Sequence, residues 1–277
     1  MTTVDPTLAG RPPAAPAPTY STRRVRAMVR RSFLAQSRNP GYWFLLLVLP
    51  LVDGLLFGSI GVAFDGGDQP VVLMVTGILL FHLIWQLTLA GSFGLLDEVW
   101  SRNLMNLVAT PLTERELLSS FGIVGLVRTC VASLMIGGVG LVFFAVSPTS
   151  AGIVLVPSAV LLLAFGWAVA LFVVGMTLQY GDKAEVFSWG TLVLLMPLSG
   201  VFYPVEDLPG ALQAVAAVVP LTHVFDAVRT GIEEGTVAWG QLGIAAAGTA
   251  VIAVASAWFA AHQLRRFRRH GWITKFV

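Results

Sequence analysis

Hydrophobic positions in this chain fall into long runs, not into the short amphipathic repeats of a soluble domain. A bilayer core of about 30 Å needs about 20 apolar residues at a rise of about 1.5 Å each. Six stretches approach or exceed that length, near residues 42–63, 70–96, 120–146, 151–178, 185–202 and 237–263, and each predicts a membrane-crossing helix. Before the first span, Val25, Met28, Val29, Ser32 and Phe33 recur at helical spacing while Arg23, Arg26, Arg30 and Arg31 mostly point elsewhere. This predicts an amphipathic helix over 21–40 lying on the membrane surface, and Asn39-Pro40-Gly41 turns the chain inward after it.

Two connections carry more than a turn. Between the second and third spans, over 97–119, Trp100, Leu104, Leu107 and Val108 keep helical spacing and stop at Pro111. Thr113 and Glu116 then have the spacing of a capping box, which starts a new helix running into the third span. The expected result is a helical elbow. Between the fifth and sixth spans, over 203–236, residues 210–219 are apolar but about half as long as a crossing requires, which predicts a re-entrant or interfacial segment. After Pro220, Leu221, Val224, Phe225, Val228 and Ile232 share one helical face and Asp226, Arg229 and Glu233 another, so a second short outer helix is expected.

Composition narrows the class. Only 12% of the 277 residues are charged, against about 25% in soluble domains, which excludes an ordinary soluble protein and leaves an all-α polytopic membrane protein with one membrane domain over 41–263. Residues 1–20 hold Pro6, Pro12, Pro13, Pro16 and Pro18 and read as a disordered cytoplasmic tail. The first apolar run begins behind seven arginines and is too long for a signal peptide, so it is expected to be a retained span. With the N-terminus inside, fifteen of the 17 Lys/Arg fall on inner segments, five of them in a basic C-terminal tail over 264–277. Arg229 falls outside and Arg128 within the third span. So one-sided a distribution predicts six spans with both termini cytoplasmic.

Few soluble chemistries survive inspection. Lysine occurs only at 183 and 275 and no GxxxxGK[ST] is present, so the chain is not expected to hydrolyse nucleotide by itself. One cysteine, Cys130, and four histidines without ligand spacing predict neither a metal nor a cofactor, and no catalytic residue is assigned. Ser199-Gly200 beside His82 or His223 raises an intramembrane serine protease, but GxSxG is absent and Pro197 makes the end of a span the simpler reading. Asp53, His82 and Arg128 are the costly residues, at roughly 2.5–3.5 kcal/mol per charge at the helix centre on insertion scales. Asp53 and Arg128, roughly eleven and eight residues from the inner face by this span placement, are expected to pair. The pair either pins two helices or forms a polar patch on a substrate path. Gly54 and Gly58 form GxxxG, which serves either a dimer contact or packing within the chain.

The elbow NLVATPLTERELLSS and the outer segment PLSGVFYPVEDLPGALQAVAAVVPLTHVFDAVRTG together resemble the ABC transporter type 2 exporter permeases, especially their daunorubicin-resistance-like branch, and the resemblance covers nearly all of the chain after residue 20. It implies that Glu98, Trp100, Leu104, Leu107, Val108 and Pro111 belong to a coupling helix docking on a separate ATPase. Ser101-Arg102-Asn103 stands where the family usually has a Gly-Thr pair. Ser199, Gly200, Pro204, Pro209 and Pro220 match the family's outer re-entrant hairpin, which resembles a gate. The resemblance implies a pair of permeases, identical or paralogous, in the plasma membrane, driven by two ATPase subunits that bind ATP and Mg; this chain binds no cofactor and no nucleic acid. The cargo would be a hydrophobic or amphiphilic drug, lipid or glycolipid, with antibiotic resistance as one outcome, and Trp43, Phe44, Trp85 and Phe93 would line a lipid-accessible path or anchor the interface. A polysaccharide or lipid-linked polymer exporter, a proton-coupled carrier using Asp53 and His82, and an intramembrane hydrolase using Ser199 are the competing expectations.

Overall fold

The computed structural model describes residues 19–64 and 67–270, without the side chains of Met105, Val108, Pro148 and residues 268–270. The tail expected over 1–20 lies outside the described residues up to residue 18, and the basic tail does so from residue 271. Among the described residues all regular structure is helical: α1 (Thr22–Gln36), α2 (Pro40–Ala63), α3 (Asp68–Trp100), α4 (Leu104–Ala109), α5 (Glu114–Phe144), α6 (Leu155–Tyr180), α7 (Glu185–Leu198), α8 (Gly210–Ala216), α9 (Pro220–Glu234) and α10 (Trp239–His270).

Five stretches are long and apolar enough to cross a membrane: α2, α3, α5, Thr149–Leu198 and α10 up to Phe267. The fourth has 50 residues, which as one straight helix would reach about 75 Å, more than twice a bilayer core. It is folded back. Gly181, at φ 69° and ψ −137°, stands in a region closed to residues with a Cβ and ends α6. Trp189 of α7 then packs on Phe93 and Trp85, ring centroids 5.8 Å apart in each case, and Val201 beyond α7 meets Gly77. The order along α3 is reversed, so α7 runs antiparallel to it. The fifth span, expected to reach residue 202, is corrected here: the helix has 14 residues and stops at Leu198, because Gly200 at φ 67° turns the chain.

The core is built around α3, whose most apolar window is 78% buried against 22% for α10, which leaves α10 on the periphery. Leu80, Phe81 and Ile84 of α3 pack with Leu162, Phe165 and Val169 of α6, Leu192 of α7 and Leu221, Val224 and Phe225 of α9. Close helix approach rests on small residues. A Cβ on Gly61 would stand 2.7 Å from the Cα of Val71, and one on Gly166 3.0 Å from that of Ile84. Gly54 and Gly58 are buried within the chain against α5: a Cβ on Gly54 would stand 3.3 Å from Val139, and one on Gly58 2.2 Å from the Phe144 ring. α5 of the same chain occupies this GxxxG face, which corrects the dimer alternative.

At one end of the bundle Met28 of α1, Leu95, Leu104, Leu107, Phe121, Leu178 and Phe267 of α10 form a single cluster. The first and last helices therefore meet at the same end of the bundle.

Candidate functional site

The elbow lies at that end. After α3, Arg102 takes a left-handed conformation at φ 53° and redirects the chain into the six-residue α4. Thr113 caps α5: its hydroxyl accepts from the amide of Glu116 (3.3 Å), and its own amide donates to the Glu116 carboxylate (2.8 Å), the reciprocal pair that T-x-x-E predicts. Leu104 and Leu107, expected on a docking surface, are 5% and 9% exposed and face inward onto Met28, Phe121 and Phe267. Glu98, given the same role, is buried; it accepts from both terminal nitrogens of Arg31 and from Nδ2 of Asn103 (2.7 Å). These are corrections. Helical spacing identifies an apolar face but not what covers it, and here the chain itself covers it. The exposed ridge is Arg102, Asn106, Ala109, Thr110, Pro111 and Arg115. Trp100 is exposed and leans on Phe93 at 5.7 Å. The side chain of Val108 lies outside the described residues.

Sequence reasoning missed what fastens α1. The Glu116 side chain is fully buried and accepts from Nε (3.0 Å) and Nη2 (2.7 Å) of Arg24 and from the amide of Ser21, in addition to the cap. Arg24 and Arg31 stand seven residues apart on one face of α1, and each meets a buried glutamate of the elbow. That spacing was the available signal. The hydrogen bond to Glu116 raises the Arg24 guanidinium above its ordinary pKa, and the one to Glu98 does the same for Arg31, so both remain charged at any physiological pH. Between α1 and α4 runs a groove of about 370 Å³, lined by Arg24, Ala27, Arg31, Asn106, Thr110 and Pro111 among others.

Within the bundle, Asp53 does not pair with Arg128. Its carboxylate meets Nε2 of His82 at 2.9 Å. Arg128 lies 4.9 Å over the ring of Tyr42, and its Nε donates to Oε1 of Gln86 (3.0 Å). Roughly eleven residues of α2, about 16 Å, separate Tyr42 from Asp53. The expected pairing fails because of the register between the two helices: Gly54 faces Val139 and Gly58 faces Phe144, which sets Arg128 opposite Tyr42 near the start of α2 and leaves Asp53 well beyond its reach.

Gln86 completes the arrangement by donating to the Leu45 carbonyl (3.1 Å). That carbonyl is free for a reason legible in the chain. Pro50 has no N–H, so the helix shifts into a π turn over Phe44–Val48 in which the Leu49 amide bonds to Phe44. Leu45, whose π-type partner would be Pro50, turns to Gln86. Exchanging Asp53 and Arg128 for one another should therefore rescue nothing. The double variant is expected to melt no higher than the worse single variant in scanning fluorimetry of detergent-purified protein, and recovery to the wild-type midpoint would reinstate the pair.

At the opposite end, Ser199 is fully buried and donates to the carbonyl of Met196 (2.8 Å). The Gly200 carbonyl accepts from Nη2 of Arg229 (3.0 Å), and the Tyr203 hydroxyl donates to Pro197 (2.5 Å). Pro204 and Pro209, both exposed, bracket a turn that Gln213 closes by donating to the carbonyls of Glu206 and Leu208, 2.8 Å each. Buried Pro220 opens α9, which meets α8 at 94°, and Thr222 fastens that corner to Leu198 (3.1 Å) and Ala216 (2.8 Å). Phe202 stacks on Phe57 of α2 at 3.9 Å. The five expected residues thus share one broken hairpin. Ser199 has no histidine beside it: His82 is held by Asp53, and the His223 ring meets Gln241 and Ala217. A serine nucleophile needs such a base, so the hydrolase reading is withdrawn. Among the described residues no three His, Cys, Asp or Glu side chains gather to hold a metal.

Apolar helices long enough to cross a membrane, with a clamped helical elbow at one end and a sharply bent helix pair at the other, make up a helical membrane domain. The chain belongs to the ABC-2 type transporter family, whose sequence profile matches residues 23–232, from α1 through α9. It is accordingly a multi-pass membrane protein and the permease component of an ABC exporter, not a catalytic domain, and permeases of this family generally work with an ABC ATPase. A comparison with curated proteins returned no match.

Proposed function

We propose that the chain pairs with a second permease, identical or paralogous, in the plasma membrane and moves a hydrophobic or amphiphilic molecule, a drug, lipid or glycolipid, from the cytoplasm or inner leaflet outward. The daunorubicin-resistance-like branch is the proposed affiliation. Two ATPase subunits binding ATP and Mg supply the energy. The elbow end, where the arginines gather, faces the cytoplasm, and the hairpin of Ser199, Gly200, Pro204, Pro209 and Pro220 is the re-entrant outer gate.

The observation that carries this reading is the clasp at the elbow. Glu98 and Glu116 tie α4, α1 and the starts and ends of the spans into one unit, so a push on the exposed ridge from Asn106 to Pro111 moves α3 and α5 together instead of bending a loop. The docking surface is that ridge with the groove beside α1. In a detergent pull-down of tagged protein from its native membranes, the wild type is expected to bring down an ATPase, and Ala109→Arg, which plants a bulky cation on the ridge, to lose it at an unchanged melting temperature. A wild-type eluate without ATPase overturns the reading.

The Asp53–His82 contact favours a second reading, a proton-coupled carrier. In vesicles that carrier stops when a protonophore collapses the gradient and ignores ATP depletion; the exporter does the reverse.

A further inference from the structure

Beside the elbow, α2, α3, α5 and the start of α7 enclose a pocket of about 290 Å³, lined among others by Tyr42, Phe44, Asp97, Trp100, Arg128 and Glu185. Arg128 is 2% exposed, its Nη2 has no hydrogen-bond partner, and among the described residues it forms no ion pair. Its orientation is set by the Tyr42 face and by Gln86, which is itself tied to the π turn. Asp97 acts on it electrostatically across the pocket but does not contact it; a buried guanidinium without a contact counter-ion is costly, and an anion seated on it would remove that cost. Asp97, exposed, and Glu185, half-buried, line the same pocket, and neither forms an ion pair among the described residues. A purely anionic ligand would face these two carboxylates; a purely cationic one would face Arg128 and leave it unpaired. Phe44 and Trp100, each about half exposed, supply apolar walls beside the charges.

We propose that this pocket takes the zwitterionic headgroup of a membrane amphiphile, with its phosphate or carboxylate on Arg128, its ammonium on Asp97 and Glu185, and its apolar part along Phe44 and Trp100. The assignment rests on the exporter reading only in treating the bound molecule as cargo; the binding itself does not need an ATPase.

The test is titration of the full-length, detergent-purified chain, followed by native mass spectrometry, with four probes. These are a short-chain phosphatidylethanolamine, the phosphatidylglycerol of the same chain length, an alkylammonium of that length, and inorganic phosphate. Phosphatidylethanolamine is expected to bind best. Arg128→Gln should weaken it by about tenfold or more, the scale of one charge-assisted hydrogen bond, with Arg128→Lys recovering part of the loss. Asp97→Asn with Glu185→Gln should abolish the preference for phosphatidylethanolamine over phosphatidylglycerol. If Arg128→Gln does not elute as a single species, this carboxylate pair, away from the core, decides the matter: lost preference supports the assignment and retained preference overturns it. Unchanged affinity in Arg128→Gln, or equal binding of the alkylammonium, overturns it, and inorganic phosphate binding as well as the lipid would mean a free-anion site and overturn the lipid assignment. Binding that ignores Arg128 leaves the exporter reading intact, whereas a missing ATPase in the pull-down leaves the binding result intact.

Discussion

Glu116→Ala is expected to release α1 from the bundle while the spans stay folded. One carboxylate holds the amide of Ser21, the guanidinium of Arg24 and the capping box of α5, so alanine removes three attachments at once. A helix of 15 residues is marginal without tertiary contacts, and α1 then keeps Arg31–Glu98 and the packing of Val25, Met28 and Gln36. Hydrogen exchange should accelerate at the α1 amides by about tenfold or more, with the core of α3 unchanged. Glu116→Gln separates the roles: glutamine serves the capping box but cannot pair ionically with Arg24, so α1 loosens while protection at the start of α5 persists. Arg24→Ala should loosen α1 less than Glu116→Ala, because Ser21 and the cap keep their acceptor. Wild-type exchange at α1 in Glu116→Ala would mean that packing, not the clasp, holds it. If the elbow transmits force as a unit, ATPase recovery in the pull-down falls along the same order.

Much of this architecture is written in lengths and spacings. Runs long enough to cross a bilayer appear as α2, α3, α5, α6 and α10, and the T-x-x-E of Thr113 and Glu116 appears as a capping box because both halves of that signal are local. The fifth helix is shorter than its apolar run because hydropathy measures only polarity, while Gly200 ends the helix through backbone conformation. The π turn in α2 was equally hidden. Pro50 says that a helical hydrogen bond is lost, but not that Gln86, on another helix, will receive the freed carbonyl.

Residue roles were less legible than elements, since burial is decided by partners distant in sequence. The resemblance places Glu98 in a coupling helix, yet its partner, Arg31, lies 67 positions earlier in the chain. Asp53, His82 and Arg128 were recognised by their cost in a membrane. Their grouping is not written in the spans, because the register of α2 against α5, which sets Arg128 opposite Tyr42, is fixed by packing between helices distant in sequence. Gly54 and Gly58 show the same limit: a small-residue stripe marks close approach but does not name the helix that approaches.

Leu104→Asp combined with Leu107→Asp is the variant that separates an apolar ridge offered to a partner from an apolar face already spent. Truncating one buried leucine costs about 2–5 kcal/mol, and a carboxylate placed there adds a desolvation penalty. The two sites share the cluster of Met28, Phe121 and Phe267, so their effects are not simply additive. Their combined cost is comparable with the whole stability of an ordinary domain, about 5–15 kcal/mol. The double variant is therefore expected to elute as aggregate or to melt about 10 °C or more below the wild type, losing the ATPase as a consequence. Ala109→Arg, one turn away on the exposed side, should lose the ATPase without losing stability. A double variant that melts like the wild type and still releases the ATPase would place both leucines at the partner interface and reverse the orientation of α4 described above. The melting temperature, not the pull-down, discriminates between the two accounts, because both predict an eluate without ATPase and only one predicts an intact permease.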